Sequence, residues 1–132
     1  MVHKITYMIA PVPASRPRVT RWGTYYGKTY SKFRKQMEKL VSKGEQLMLP
    51  GALNFDVTFY IQIPKSYPNK KRRELHGKPC ISRMDLDNLE KALYDSMTGH
   101  VYVDDKQIVA HSTRKIWSED IPRIEVAIEP VD

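Results

Sequence analysis

Residues 55–63 read FDVTFYIQI, with Phe55, Val57, Phe59, Ile61 and Ile63 on one side of the chain and Asp56, Thr58, Tyr60 and Gln62 on the other. A period of two is that of a strand with one buried face and one wet face, and this is its strongest instance in the chain. Weaker alternations lie at both ends. One runs from Ile5 to Ile9, and in the other Ile124, Val126 and Ile128 alternate with Arg123, Glu125 and Glu129. Val101 to Val103 and then Gln107 to Trp117 read as a hairpin turning on Asp104 and Asp105, although Ser112 and Arg114 dilute its apolar side.

Helical spacing appears twice between these strands. From about Ser31 to Lys43, Phe33, Met37, Leu40 and Val41 recur at i, i+4, i+7 and i+8, while Lys28, Lys32, Lys35, Lys39 and Lys43 follow another face, and Gly44 ends the run. The second helix begins with Asp85 or Asp87 as N-cap, turns Leu86, Leu89, Leu93 and Met97 inward, and stops with Gly99 at C′. ProValPro at 11–13, ProGly at 50–51 and SerTyrProAsn at 66–69 punctuate the rest. No repeat, low-complexity tract or linker interrupts the order. Strand, helix, strand, helix, strands predicts a single α+β domain over residues 1–132, built on a mixed β-sheet with two main helices.

A chain of 132 residues with 41% hydrophobic composition is long enough to fold around one core without staples. Its single cysteine, Cys80, excludes an internal disulfide and fits a reducing cytoplasm, and no segment approaches the roughly 18 apolar residues of a membrane span. The expected location is therefore cytoplasmic. A formal net charge of +7 points to a polyanion, most commonly nucleic acid. Between Arg16 and Lys43 nine bases face one acid, Glu38, and between Lys65 and Arg83 seven bases face Glu74 alone.

The acids are gathered elsewhere. DLDNLEKALYDSMTGHVYVDD, residues 85–105, holds Asp85, Asp87, Glu90, Asp95, Asp104 and Asp105, six of the fifteen carboxylates, with Lys91 as its one lysine or arginine. Crowded like charges repel, so such an island either spreads into water or surrounds something positive. Asp87, Lys91 and Asp95 stack along one helical face, where Lys91 and Asp95 make an ordinary surface pair. If the Asp104–Asp105 turn returns beside the helix start, three carboxylates form a hard-oxygen set suited to Mg²⁺ or Mn²⁺. Bases that hold a nucleic-acid backbone around such a site are what metal-assisted phosphodiester hydrolysis requires. An EF-hand fails because Leu89 and Glu90 stand where a ligand and a glycine belong, and the four histidines lack zinc spacing.

The strings AspLeuAspAsnLeuGluLysAlaLeuTyrAsp and, after a gap, AspAspLysGlnIle resemble the RusA-type Holliday junction resolvases, small bacterial and prophage endonucleases of DNA recombination and repair. ValProAlaSerArgProArgVal near the N-terminus and ArgLysIleTrp at 114–117 extend the likeness over about Ile5 to Ile128. The resemblance implies metal-binding catalytic carboxylates at Asp85, Asp87 and Asp105, a catalytic lysine at Lys91, and Mg²⁺ or Mn²⁺ as cofactor, with no small-molecule cofactor. It also implies an intertwined homodimer acting on branched, four-way DNA. Asp104 and Asp95 are candidates for assisting roles. Arg16, Arg18 and Arg21, among Trp22, Tyr25, Tyr26 and Tyr30, either clamp DNA or belong to a loop packed on the sheet. Lys70, Lys71, Arg72 and Arg73 form a basic loop read as a phosphate contact. Two rivals share these charges: a non-catalytic nucleic-acid-binding module, and a metal nuclease acting on flaps or RNA.

Overall fold

The computed structural model describes residues 1–15, 18–25 and 27–131. Its elements are β1 (His3–Tyr7), β2 (Arg18–Thr20), β3 (Gly23–Tyr25), α1 (Lys28–Lys43), β4 (Leu53–Gln62), α2 (Asn69–Leu75), α3 (Leu86–Met97), β5 (Ile108–Ser118) and β6 (Arg123–Pro130). Four strands make a mixed sheet in the order β1-β6-β4-β5, and β2 and β3 pair as a separate ribbon. The α+β expectation holds, with three helices rather than two.

β4 occupies the centre because both its neighbours and its alternation favour it. It pairs antiparallel with β6 and parallel with β5, so its backbone groups are bonded on both sides. Leu53, Phe55, Val57 and Phe59 are fully buried in one cluster with Tyr30, Phe33, Met37 and Val41 of α1 and Leu89, Ala92, Leu93 and Met97 of α3. Phe55 meets Tyr94 and Tyr102 edge-on, with ring centres 5.3 and 5.7 Å away. The opposite face of the sheet is polar: Arg114 pairs with Asp56 at 2.7 Å, and the Tyr60 hydroxyl donates to Glu125 at 3.3 Å.

The structure departs from the expected hairpin. Tyr102 is buried and its hydroxyl donates to the Tyr94 carbonyl at 2.7 Å, which ties residues 101–102 to the end of α3 rather than to a strand partner. Asp104 then caps a 3-10 turn over Asp105–Gln107, its Oδ1 accepting from the Lys106 N–H at 2.9 Å. The Gln107 amide donates to the carbonyls of Leu49 and Gly51 at 2.8 and 3.0 Å. So pinned, the chain enters β5 parallel to β4, and α2 and α3 lie in the long crossover such a pairing needs.

Residues 70–73 are helical, not loop. α2 buries no residue, so it has no apolar stripe by which it could be foreseen. Smaller shifts occur at other ends: α1 begins at Lys28 after Gly27, and β1 ends at Tyr7, where the Ile9 N–H turns back to the Tyr7 carbonyl at 2.9 Å. α3 ends as expected, with Gly99 at φ +85° after Thr98. Among the described residues no helix is long and apolar enough to cross a membrane.

Candidate functional site

α3 carries three of the four candidate catalytic residues, and its apolar face decides where they point. Leu89, Leu93 and Met97 turn into the core, so Asp87, Lys91 and Asp95 lie exposed on the far side. Asp85 holds the N-cap position, where its carbonyl accepts from the Leu89 N–H at 3.1 Å. Its carboxylate makes no capping hydrogen bond. An aspartate here ordinarily satisfies an orphan N–H; this one leaves its charge to solvent, where the positive end of the helix favours an anion.

Lys91 Nζ donates to Asp95 Oδ2 at 3.2 Å. Asp95, by hydrogen bond and charge, holds the ammonium above the usual lysine range, and Asp105 adds to the effect. The carboxyl of Asp105 is raised first by desolvation, then by its bond to Asp104 and by the charges of Asp104 and Asp95, with Lys91 opposing. Asp104 is lowered, chiefly because the Lys106 N–H donates to it. The 3-10 turn thus commits Asp104 to its own backbone and delivers Asp105 into the field of Lys91 and Asp95.

Asp105 is thus within electrostatic reach of Lys91 and Asp95. Among the described residues no group of three acidic, histidine or cysteine side chains lies close enough to hold one ion. In donor chemistry Asp85, Asp87 and Asp105 still suit a hard cation, and Mg²⁺ uses one or two carboxylates while keeping waters and substrate phosphate as its other ligands.

One acid of the island behaves differently from its position in the sequence. Glu90 is 9% exposed, its Oε1 accepting from the Thr113 hydroxyl at 2.5 Å and its Oε2 lying 2.7 Å from His111 Nδ1. The Tyr94 hydroxyl is buried nearby; burial, then the Glu90 charge, raises it. The register that places His111 opposite Phe55, Thr113 opposite Val57 and Lys115 opposite Phe59 turns all three toward α3. Lys115 Nζ donates to the Met84 carbonyl at 2.5 Å and the Ser82 carbonyl at 3.4 Å, fixing the approach to Asp85. Polar residues at three successive inward positions of a strand are the signal that could have disclosed this clamp.

Glu90→Ala is expected to lower stability by about 2 kcal/mol, because it removes the acceptor of the part-buried Thr113 hydroxyl and the partner of His111 together. In a thermal melt that is a Tm fall of roughly 5–10 °C. An unchanged Tm would show that the clamp contributes nothing to holding α3.

The candidate DNA-binding bases divide. Arg72 donates to the carbonyls of Ile63 and Pro64 at 3.1 and 2.8 Å, so its guanidinium serves the backbone. Lys71 lies 4.4 Å from the Tyr67 ring centre, and Lys70 and Arg73 are exposed. Arg21 stacks over Trp22 at 5.0 Å at the tip of the β2–β3 ribbon. Trp22 is 86% exposed, whereas Tyr30 is in the core. Arg16 and Tyr26 lie outside the described residues, and Arg18 and Tyr25 enter only as backbone of the ribbon.

The site thus consists of a mixed sheet bearing a helix whose exposed face carries Asp87, Lys91 and Asp95, in a chain of formal net charge +7. The chain belongs to the RusA endodeoxyribonuclease family: the family model described as Endodeoxyribonuclease RusA matches residues 9–129. It is also similar to the protein named "Uncharacterized protein YqaN" of Bacillus subtilis (strain 168), with 34% identity over 137 residues, covering 97% of this chain and 96% of that protein.

Proposed function

We propose that this protein is a divalent-metal-dependent endodeoxyribonuclease that resolves four-way DNA junctions, working as a homodimer that makes two symmetric nicks. The observation that carries the reading is the exposed face of α3 on which Asp87 and Asp95 flank Lys91, in a member of this family. Asp85, Asp87 and Asp105 are the carboxylates that would bind Mg²⁺ or Mn²⁺, a cation that takes few carboxylates and keeps waters and substrate phosphate as its other ligands. When bound, the cation supplies Lewis acidity at the phosphoryl oxygen and makes an attacking water more acidic. Lys91 places its ammonium beside the charge that builds on the phosphoryl group. A two-fold dimer presents two such sites to opposing strands, which is what symmetric resolution demands.

The test sets a synthetic four-way junction, a flap and a linear duplex side by side, with Mg²⁺ and with EDTA. Paired nicks in the junction that require the metal are the expected result. Binding without product under every metal condition would leave a non-catalytic DNA-binding module, and preferential cutting of the flap would reassign the substrate.

A further inference from the structure

We propose that the lysine face of α1 is a binding rail for the sugar-phosphate backbone of a duplex DNA arm; this deepens the nuclease reading by naming a surface that brings DNA to its site. At 100° per residue, Lys28, Lys32, Lys35, Lys39 and Lys43 fall within an arc of about 80° and run for about 22 Å along the helix. All five are exposed. The buried residues Tyr30, Phe33, Met37 and Val41 define the opposite side, so the stripe faces directly away from the core.

Among the described residues none of the five has an acidic partner within ion-pair distance. The one acid of α1, Glu38, is engaged to the side, 3.3 Å from His100 Nε2 and accepting from Ser42 at 3.1 Å. Like charges at i,i+3 and i,i+4 each cost a few tenths of a kcal/mol in the free helix, a cost that a polyanion relieves while releasing its own counterions.

The chemistry of the stripe also selects the form of the polyanion. Lysines are point charges without a guanidinium fork, and a row of them on one exposed helix face suits phosphate contact rather than bidentate base readout. Single-strand binding needs exposed rings for base stacking, and both aromatics of α1, Tyr30 and Phe33, are in the core. A straight row of ammonium groups without a stacking platform fits double-helical backbone. The rail also leads to the site: Lys35 and Lys39 line one cleft with Asp95 and Ser96 of α3, and Asp95 is the partner of Lys91.

The experiment measures binding to a four-way junction and to a linear duplex in EDTA, from 50 to 200 mM salt, so cutting plays no part. Lys32→Gln/Lys35→Gln/Lys39→Gln is compared with Lys4→Gln/Lys65→Gln/Lys78→Gln, which removes equal charge elsewhere. The stripe variant should lose roughly 2.7 from the slope of log affinity against log salt, so that its affinity falls about 40-fold less than that of the wild type across this range. The comparison variant should keep the wild-type slope, and both should keep the wild-type Tm. Equal slopes in all three proteins, equal losses in both variants, or single-stranded oligonucleotide competing as well as duplex would each overturn the proposal. Wild-type protein that binds but never cuts would defeat the nuclease reading and leave the rail standing.

Discussion

Asp87→Asn is expected to lower junction cutting by on the order of 10³, with junction binding in EDTA unchanged or tighter. The amide keeps the size of the side chain and its place in the first turn of α3 but gives up a charged oxygen ligand, and hard cations depend on ligand charge. Losing the groups that stabilise developing charge costs factors of this size. Removing a negative charge that faces DNA phosphate explains why binding should improve rather than fail. Asp85→Asn should behave likewise, since its carboxylate makes no capping bond that the fold would miss. Single-turnover nicking of a labelled junction beside a gel-shift titration measures both halves. A clean Asp87→Asn protein that cuts at the wild-type rate would remove the carboxylates from the chemistry.

The exposed face of α3 was legible in the sequence, but the setting of Asp105 was not. Asp87, Lys91 and Asp95 at i, i+4 and i+8 fix a shared helical face once α3 is granted, because the Leu89, Leu93 and Met97 stripe settles the rotation. Where Asp105 lies relative to that face depends on residues 101–107. There the outcome turns on one buried tyrosine and on Gln107, whose amide bonds to the distant Leu49 and Gly51 carbonyls. No local pattern encodes bonds across more than fifty residues. Hence a turn at Asp104 and Asp105 could be foreseen while its 3-10 form and its anchoring through Gln107 could not.

The sheet divides in the same way. β4 and β6 announce themselves because their inward residues are apolar at every second position. β5 was legible as the arm Gln107 to Trp117, but its parallel partner was not, because its inward residues include His111, Thr113 and Lys115, which hold α3 and the segment before it rather than fill the core. Polarity on that face is also why Glu90, in the middle of the acid island, sits in the interior while its neighbours face water. α2 escaped for the opposite reason: a helix that buries nothing has no period to detect.

Lys91→Ala should slow cutting by on the order of 10² while leaving Tm and metal-free junction binding close to those of the wild type. The contrast rests on exposure. The Lys91–Asp95 pair is open to solvent, at 65% and 37% for the two side chains, and such pairs contribute about 0–1 kcal/mol to stability. Because Asp95 and Asp105 raise the folded pKa of Lys91, whatever stability the pair contributes is fully present below the unfolded value of 10.5 and is lost only as pH climbs through the higher folded one. The ammonium therefore stays charged from pH 6 to 9, and any bend in the rate profile there belongs to other groups. Asp95→Asn separates partnership from chemistry. If Lys91 acts on the phosphoryl group, breaking the pair with Asp95 should leave cutting within about tenfold of wild type while Lys91→Ala does not. Equal losses in the two variants would make the ion pair itself the functional unit, and an active Lys91→Ala protein would take Lys91 out of the reaction.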